Sequence, residues 1–173
     1  MKRIKNIVRG LGSFVVCDPD EEYEMYNLND GIETVLLIMQ NELKHYEIKK
    51  ELGEIPSVKA IGNQITQALL NIIINSVHAI SIKRNNEKGI ITIKTYSDKK
   101  FVCCKIEDNG IGISRENIKR IFDPFFTTKP DGQGIGIGLS ISYGTIVYRH
   151  NGRLTVNSEY GKGAAFTVKL PIS

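Results

Sequence analysis

Between Gln67 and Ile80 the chain reads "QALLNIIINSVHAI", and this stretch constrains the fold more than any other. Its apolar residues predict a long helix, from about Ile61 to Lys83, with one side turned to a core. The same helix places Asn71 and Asn75 four residues apart on one face, with Gln67 and His78 on nearly the same line. Burying an unpaired amide costs about 1–3 kcal/mol, so a face carrying two of them needs partners. A satisfied pair of packing amides is one solution, and a polar site is the other. His78 reads equally as an ordinary, partly exposed helix histidine.

The rest of the chain narrows the choice. Its 173 residues suit one domain with a sizeable core. Hydrophobic residues make up 41% and charged residues 24%, as in ordinary soluble globular proteins. The net charge of +4 is mild, and no run of like charge is long enough for a nucleic-acid-binding tail. No apolar stretch is expected to span a bilayer, which takes roughly 20 residues. The opening "MKRIKNIVRG" lacks the apolar core and cleavage site of a signal peptide, so a cytoplasmic protein is expected. Cys17, Cys103 and Cys104 are odd in number and show no metal-ligand spacing. A strand through "KFVCCKIED" points Cys103 and Cys104 to opposite faces, so reduced, structural thiols are expected.

Along the chain, residues 1–14 read as the end of an amphipathic helix, with Ile4, Ile7, Val8 and Leu11 on one face. The acidic "CDPDEEYEMYN" reads as a loop. A helix is expected from about Asn29 to Lys44, capped by Asn29 or Asp30. "YEIKKELG" reads as a short strand, "IPSVKA" as a linker, "NNEKG" as a turn, and "IITIKTYS" and "FVCCKIED" as antiparallel strands. A short helix is expected at about Arg115–Arg120, and "IFDPFFTTKPDGQGIGIG" reads as a mobile loop. Helix "LSISYGTIVYRH" and strands "GRLTVNSE" and "GAAFTVKLP" around "YGKG" complete the chain. This order predicts an α+β fold: a two-layer sandwich with a mixed, mostly antiparallel sheet and helices packed on one face.

Several segments carry possible chemistry. "GQGIGIG" follows a long Pro-containing loop rather than a strand, which argues against a dinucleotide-binding glycine loop. P-loop and protein-kinase signatures are absent from the sequence. Gly134, Gly136 and Gly138 still precede a helix, where backbone N–H groups can hold phosphate oxygens. In "DNGIGI", Asp108 is an acceptor-only carboxylate at a strand end, suited to an exocyclic amine, and Gly110 and Gly112 allow close approach of a flat ring. A capped surface turn is the plain alternative. The amide oxygen of Asn75 is a hard donor suited to Mg²⁺, and His78, one turn on, can reach a phosphate.

Taken in order, "LLNIIINSVHAI", "DNGIGI", "FDPFFTTK" and "GQGIGIGLSIS" resemble the N, G1, F and G2 boxes of a sensor histidine kinase's catalytic ATP-binding domain. The likeness runs from about Tyr26 to Pro171. It implies the Bergerat fold of the GHKL superfamily, with a mobile ATP lid from about Arg120 to Gly134. It further implies ATP and Mg²⁺ as cofactors, with Asn75 as the metal ligand, Asp108 on the adenine amine, and Gly110 and Gly112 shaping the adenine pocket. Phe122, Phe125 and Phe126 would anchor the lid, and Lys129 would lie near the phosphates. Gly134, Gly136 and Gly138 would hold the phosphate tail. Ile113, Thr127, Thr128, Ile135, Ile137 and Leu139 would complete the ATP contacts. Asn71, Asn75, His78 and Lys129 would form the catalytic set. Asn71 stands where hydrolytic relatives carry a glutamate base. An amide cannot serve as that base, so phosphoryl transfer to a histidine is implied over hydrolysis.

The acceptor histidine is not evident. His45, His78 and His150 lie outside any acceptor-helix motif, and "RIKNIVRGLGSF" resembles the tail of the dimerisation hairpin's second helix. The expected organisation is therefore a hairpin tail at 1–14 and a catalytic domain at 15–173. This fragment would lack its own acceptor. Its partners would be ATP or ADP, the helical hairpin of the parent kinase and a response regulator, and the isolated fragment would be a monomer. Ala164 stands where the family often has threonine near the adenine. The alternatives are a GHKL-type ATPase or protein-serine kinase, and a docking module that no longer binds nucleotide.

Overall fold

The computed structural model describes residues 22–83, 87–129 and 134–172. The expected helix at 1–14, Cys17, the first part of the "NNEKG" turn and the middle of the lid lie outside the described residues. The element order is β1 (Glu24–Tyr26), α1 (Leu28–Ile38), α2 (Gln40–Leu43), β2 (Glu47–Leu52), β3 (Val58–Ala60), α3 (Gly62–Ile82), β4 (Ile90–Ser97) and β5 (Phe101–Asp108). After a long connection come α4 (Gly138–Tyr143), a π-helix (Gly144–Arg149), β6 (Arg153–Glu159) and β7 (Gly163–Pro171).

Among the described residues the main sheet has the order β2-β4-β5-β7-β6. Only the β2–β4 pair is parallel; the other three pairs are antiparallel. The period-2 alternation of β4, β5 and β7 sends Ile91, Ile93, Val102, Cys104, Ile106, Phe166, Val168 and Leu170 to one face. The helices cover that face, so the fold is the expected α+β sandwich. Leu28, Ile32 and Val35 of α1 and Ile65, Leu69, Ile72 and Ile73 of α3 close the core. Each such side chain contributes about 1.5–3 kcal/mol on full burial.

Helix α3 has two working faces. Ile65, Leu69, Ile72, Ile73 and Ser76 turn to the sheet and are buried. At 100° per residue, Asn71, Asn75, His78 and Ile82 lie on the opposite side. By length and composition α3 is apolar enough to cross a membrane, contrary to the expectation that no stretch is. Here its apolar side is the centre of the core.

Five local expectations are corrected. The cap of α1 is Asn27, whose side chain accepts the Asn29 N–H at 2.9 Å. Asn29 is instead a tie to the sheet, donating to Gly53 O at 3.0 Å and accepting from Thr95 Oγ1 at 2.8 Å. The helix expected to reach Lys44 breaks at Met39. The presumed loop and linker each contain a three-residue strand, β1 and β3, paired antiparallel through Glu24↔Ala60 and Tyr26↔Val58. Residues 115–120 form successive turns, such as Asn117 N–H to Ser114 O, rather than a helix. Finally, "LSISYGTIVYRH" begins as α-helix and widens into the π-helix at Gly144.

Both described cysteines are free and buried. Cys104 is in the core, and burial pushes its thiol up to about 12. Cys103 points the other way, as the strand reading requires. Neither is a reactive thiolate at neutral pH.

Candidate functional site

The polar face of α3 lines a cavity of about 560 Å³, bounded also by the end of β5, the segment after it, the Phe126–Lys129 stretch, Gly134–Leu139 and Ala164 of β7. Its apolar lining includes Ile74, Ala79, Ile82, Ile111, Ile121 and Phe166. Those on α3 follow the same 3–4 spacing as the asparagines and were legible from it; Tyr160, Asn117 and Ser114 come from turns and carry no such signal.

One end is built around Asp108. The carboxylate is 5% exposed, and Oδ1 accepts the Gly110 N–H at 2.9 Å. Burial raises its pKa, opposed by hydrogen bonding from Gly110, Ser76 and Ala164. The Ser76 hydroxyl, 1% exposed on α3, thus helps hold the charge but has no partner in full hydrogen-bond geometry. Gly110 itself does not line the cavity. A Cβ there would lie 2.6 Å from the Ala79 carbonyl carbon, so only glycine lets this turn sit against α3. Asn109 fixes the turn from the other side, accepting the Ile90 N–H and donating to Lys88 O.

The other end is cationic. His78 and Lys129 both face the cavity. Burial lowers the His78 pKa, and the nearby Lys129 charge lowers it further. Burial alone lowers that of Lys129, which makes no ion pair among the described residues. An anion between them is favoured, because it pairs with the Lys129 charge and accepts a hydrogen bond from the His78 ring. The Lys129 stem packs over Gly134. Gly136 has φ +73°, and a Cβ there would lie 2.5 Å from Phe126 O. The glycine turn and the Phe125–Phe126 backbone are therefore in direct contact, which only a residue without a side chain permits.

Asn75 lies between these ends, half-buried, with no hydrogen-bond partner among the described residues. Asn71 differs. It is 6% exposed; its amide donates to Gly138 O at 3.1 Å and to Ser142 Oγ at 3.2 Å, and its Oδ1 accepts from Gln67 at 3.3 Å. Its two donor bonds fasten α4 to α3, and its acceptor is taken by Gln67, one turn back on α3 itself. Of the other residues singled out from sequence, Gly112, Ile113, Thr127, Thr128, Ile135, Ile137, Gly138 and Leu139 line the cavity. Phe122 does not; it stacks on Tyr143 at 5.0 Å between centroids. Phe125 is 73% exposed, with φ 65°. Phe126 lines the cavity and lies under the Arg120 guanidinium at 4.6 Å.

Residues 60–173 match the family described as histidine kinase-, DNA gyrase B-, and HSP90-like ATPase. The chain belongs to that family. Its relatives include the signal transduction histidine-protein kinase AtoS of Escherichia coli (strain K12), 40% identical over 157 residues, with 88% of this chain and 24% of AtoS covered. Among solved structures, the catalytic domain of histidine kinase ThkA superposes with a TM-score of 0.75 at 27% identity, covering 87% of this chain and 97% of that one. A structure of ThkA in complex with response regulator protein TrrA matches with a TM-score of 0.73 at 25% identity, over 98% of this chain and 49% of that chain. The chain spans about a quarter of the length of the curated relatives it matches.

Proposed function

We propose that this chain is the catalytic ATP-binding domain of a sensor histidine kinase, donating the γ-phosphoryl group of ATP to a histidine on a separate helical segment. The observation that carries this reading is the polarity of the cavity. A buried acceptor, Asp108, stands at one end and the uncompensated Lys129 cation, with the His78 ring beside it, at the other, and the free amide of Asn75 lies between them.

Asp108 accepts the adenine amine, and the turn held by Gly110 and Gly112 lets the ring lie against backbone. His78, Lys129 and the N–H groups around Gly134, Gly136 and Gly138 hold phosphate oxygens. Magnesium fits the site: Mg²⁺ keeps several waters and takes few protein oxygens, and Asn75 offers one where no cluster of three or more His, Cys, Asp or Glu exists among the described residues. When bound, the ion neutralises charge on the phosphates. The bond between the γ-phosphorus and its bridging oxygen breaks and ADP leaves; the bare imidazole nitrogen of the acceptor forms the new bond, and the ring's other nitrogen gives up its proton to solvent. The domain's share is positioning and electrostatics, as in other phosphoryl transfers.

Asn71 favours transfer over the hydrolase alternative. Its amide is committed to Gly138 and Ser142 and has no basicity to activate water. Residues 1–14 belong to the hairpin's tail and 15–173 to the catalytic domain. A response regulator acts downstream, a reading supported by the ThkA–TrrA structure; the isolated fragment is a monomer, and the site of action is cytoplasmic. The test is to incubate the protein with γ-labelled Mg·ATP and a histidine-bearing hairpin from a related kinase. Acid-labile, base-stable label on the hairpin is expected. Label released only as inorganic phosphate would instead establish a hydrolase.

A further inference from the structure

We propose that His150 is a positioning residue for the nucleotide site, clamping the start of α3 to the end of the π-helix and so fixing the gap between the two walls that flank the phosphates. This inference rests on the nucleotide reading above and concerns a side chain outside the cavity.

Helix α3 begins without a polar cap. Ile61 occupies the N-cap position and its side chain can accept nothing. The N–H of Ile61 is instead taken by His150 Nε2, 3.0 Å away and buried. The other ring nitrogen, Nδ1, lies 2.7 Å from Thr145 O. A carbonyl only accepts, so Nδ1 carries the proton and Nε2 is bare. The π-helix makes this possible. Its wide turn brings the His150 N–H to Thr145 O, five residues back, at 3.2 Å, and the imidazole then shares that carbonyl. Past it, Asn151 turns left-handed at φ 51° and leads the chain into β6. The ring is 5% exposed. Tyr23 packs on it with centroids 5.3 Å apart, and the Tyr23 hydroxyl donates to Arg149 O.

The geometry gives the clamp a function. At 1.5 Å per residue, Ile61 lies roughly 15 Å along α3 from Asn71. Asn71 joins α3 to the first turn of α4, and His150 joins the same two walls at their far ends. Apolar packing around Ile146 holds the walls together, and the two hydrogen-bonded contacts, one at each end, set their register. Phosphate contacts need both walls in register, because Asn75 and His78 sit on one and Gly134–Gly138 lead into the other. The Asp108 end hangs on β5 and on the Ala79 turn of α3, which the π-helix does not set. Loss of the clamp therefore weakens phosphate binding and spares the base.

His150→Phe keeps a ring against Tyr23 and removes both hydrogen bonds; His150→Gln keeps one acceptor and one donor. Calorimetric titrations of wild type and both variants with Mg·ATP and with adenosine, well below each melting temperature, separate the outcomes. Expected for His150→Phe is an ATP affinity weaker by about tenfold, as for loss of roughly one hydrogen bond's worth of positioning. Adenosine affinity should be unchanged, and His150→Gln should recover most of the loss. Equal weakening of ATP and adenosine, or no change in ATP, overturns the clamp. If His150→Phe does not fold, ¹⁵N spectra of the wild-type imidazole decide. A protonated Nδ1 and bare Nε2 coupled to the Ile61 amide support the proposal, and a protonated Nε2 overturns it. Wild-type protein that binds neither ligand overturns the nucleotide reading instead, and the same spectra still judge the clamp.

Discussion

Single residues divide into those that meet a ligand and those that place others. Asp108 is of the first kind. Removing its charge leaves a weaker acceptor and turns an amide donor toward the amine. Asp108→Asn should therefore weaken ATP and ADP alike, by about tenfold or more, since hydrogen bonds to charged groups contribute roughly 1.5–3 kcal/mol. Equal affinities for variant and wild type would remove Asp108 from the base site. His78 gives a pH signature. Its pKa is lowered in the free protein, first by burial and then by Lys129, and a phosphate beside it would raise it. Between those two values ATP binding takes up a proton, so affinity should strengthen as pH falls toward the free protein's His78 pKa, which lies below the usual imidazole value. Titration in buffers of different ionisation enthalpy reads the uptake directly, and His78→Gln should abolish it. Asn71 shows the limit of sequence reading. The i, i+4 pairing with Asn75 was visible, but not that one amide is closed on Gly138 and Ser142 while the other stays free. That difference depends on α4, which lies 67 residues away in sequence.

Elements were legible where the pattern was long. The core and polar faces of α3, and the alternation of β4, β5 and β7, follow from spacing alone. The β1–β3 pair was missed because three residues hold no period, and its register is set by Tyr26 inserting beside Gly31 and Gly62 rather than by local preference. Asn29 was misread as a cap because its real role, tying α1 to Gly53 and Thr95, is tertiary. Two expectations follow at this scale. Gly110→Ala places a methyl 2.6 Å from the Ala79 carbonyl carbon and should displace the turn, costing about 1–3 kcal/mol of stability and lowering nucleotide affinity with it. Asn29→Ala should cost about 1–2 kcal/mol with nucleotide affinity unchanged, because the tie lies on the far side of the core. Denaturant unfolding alongside ATP titration checks both; a Gly110→Ala protein as stable and as tight as wild type would contradict the close-packed turn.

For the whole molecule, the sandwich gives one function to each side of its central helix. The sheet holds the apolar face of α3, and the opposite face, bounded by the end of β5, the turn after it, the lid segment and the start of α4, becomes a cavity with opposite charge at its two ends. The overall architecture was legible from the order of elements and the four ordered motifs. The widening of the last helix into a π-helix was not, and neither was the imidazole clamp it allows, which depends on where Ile61 falls in space. The most direct measurement is calorimetric titration with ATP, with and without Mg²⁺. The expected result is saturable binding with a dissociation constant below about 1 mM, in the usual range for enzyme substrates, tightened by Mg²⁺ in wild type and insensitive to Mg²⁺ in Asn75→Ala. Absence of saturable binding at several times that concentration would contradict the assignment of this cavity as an ATP site.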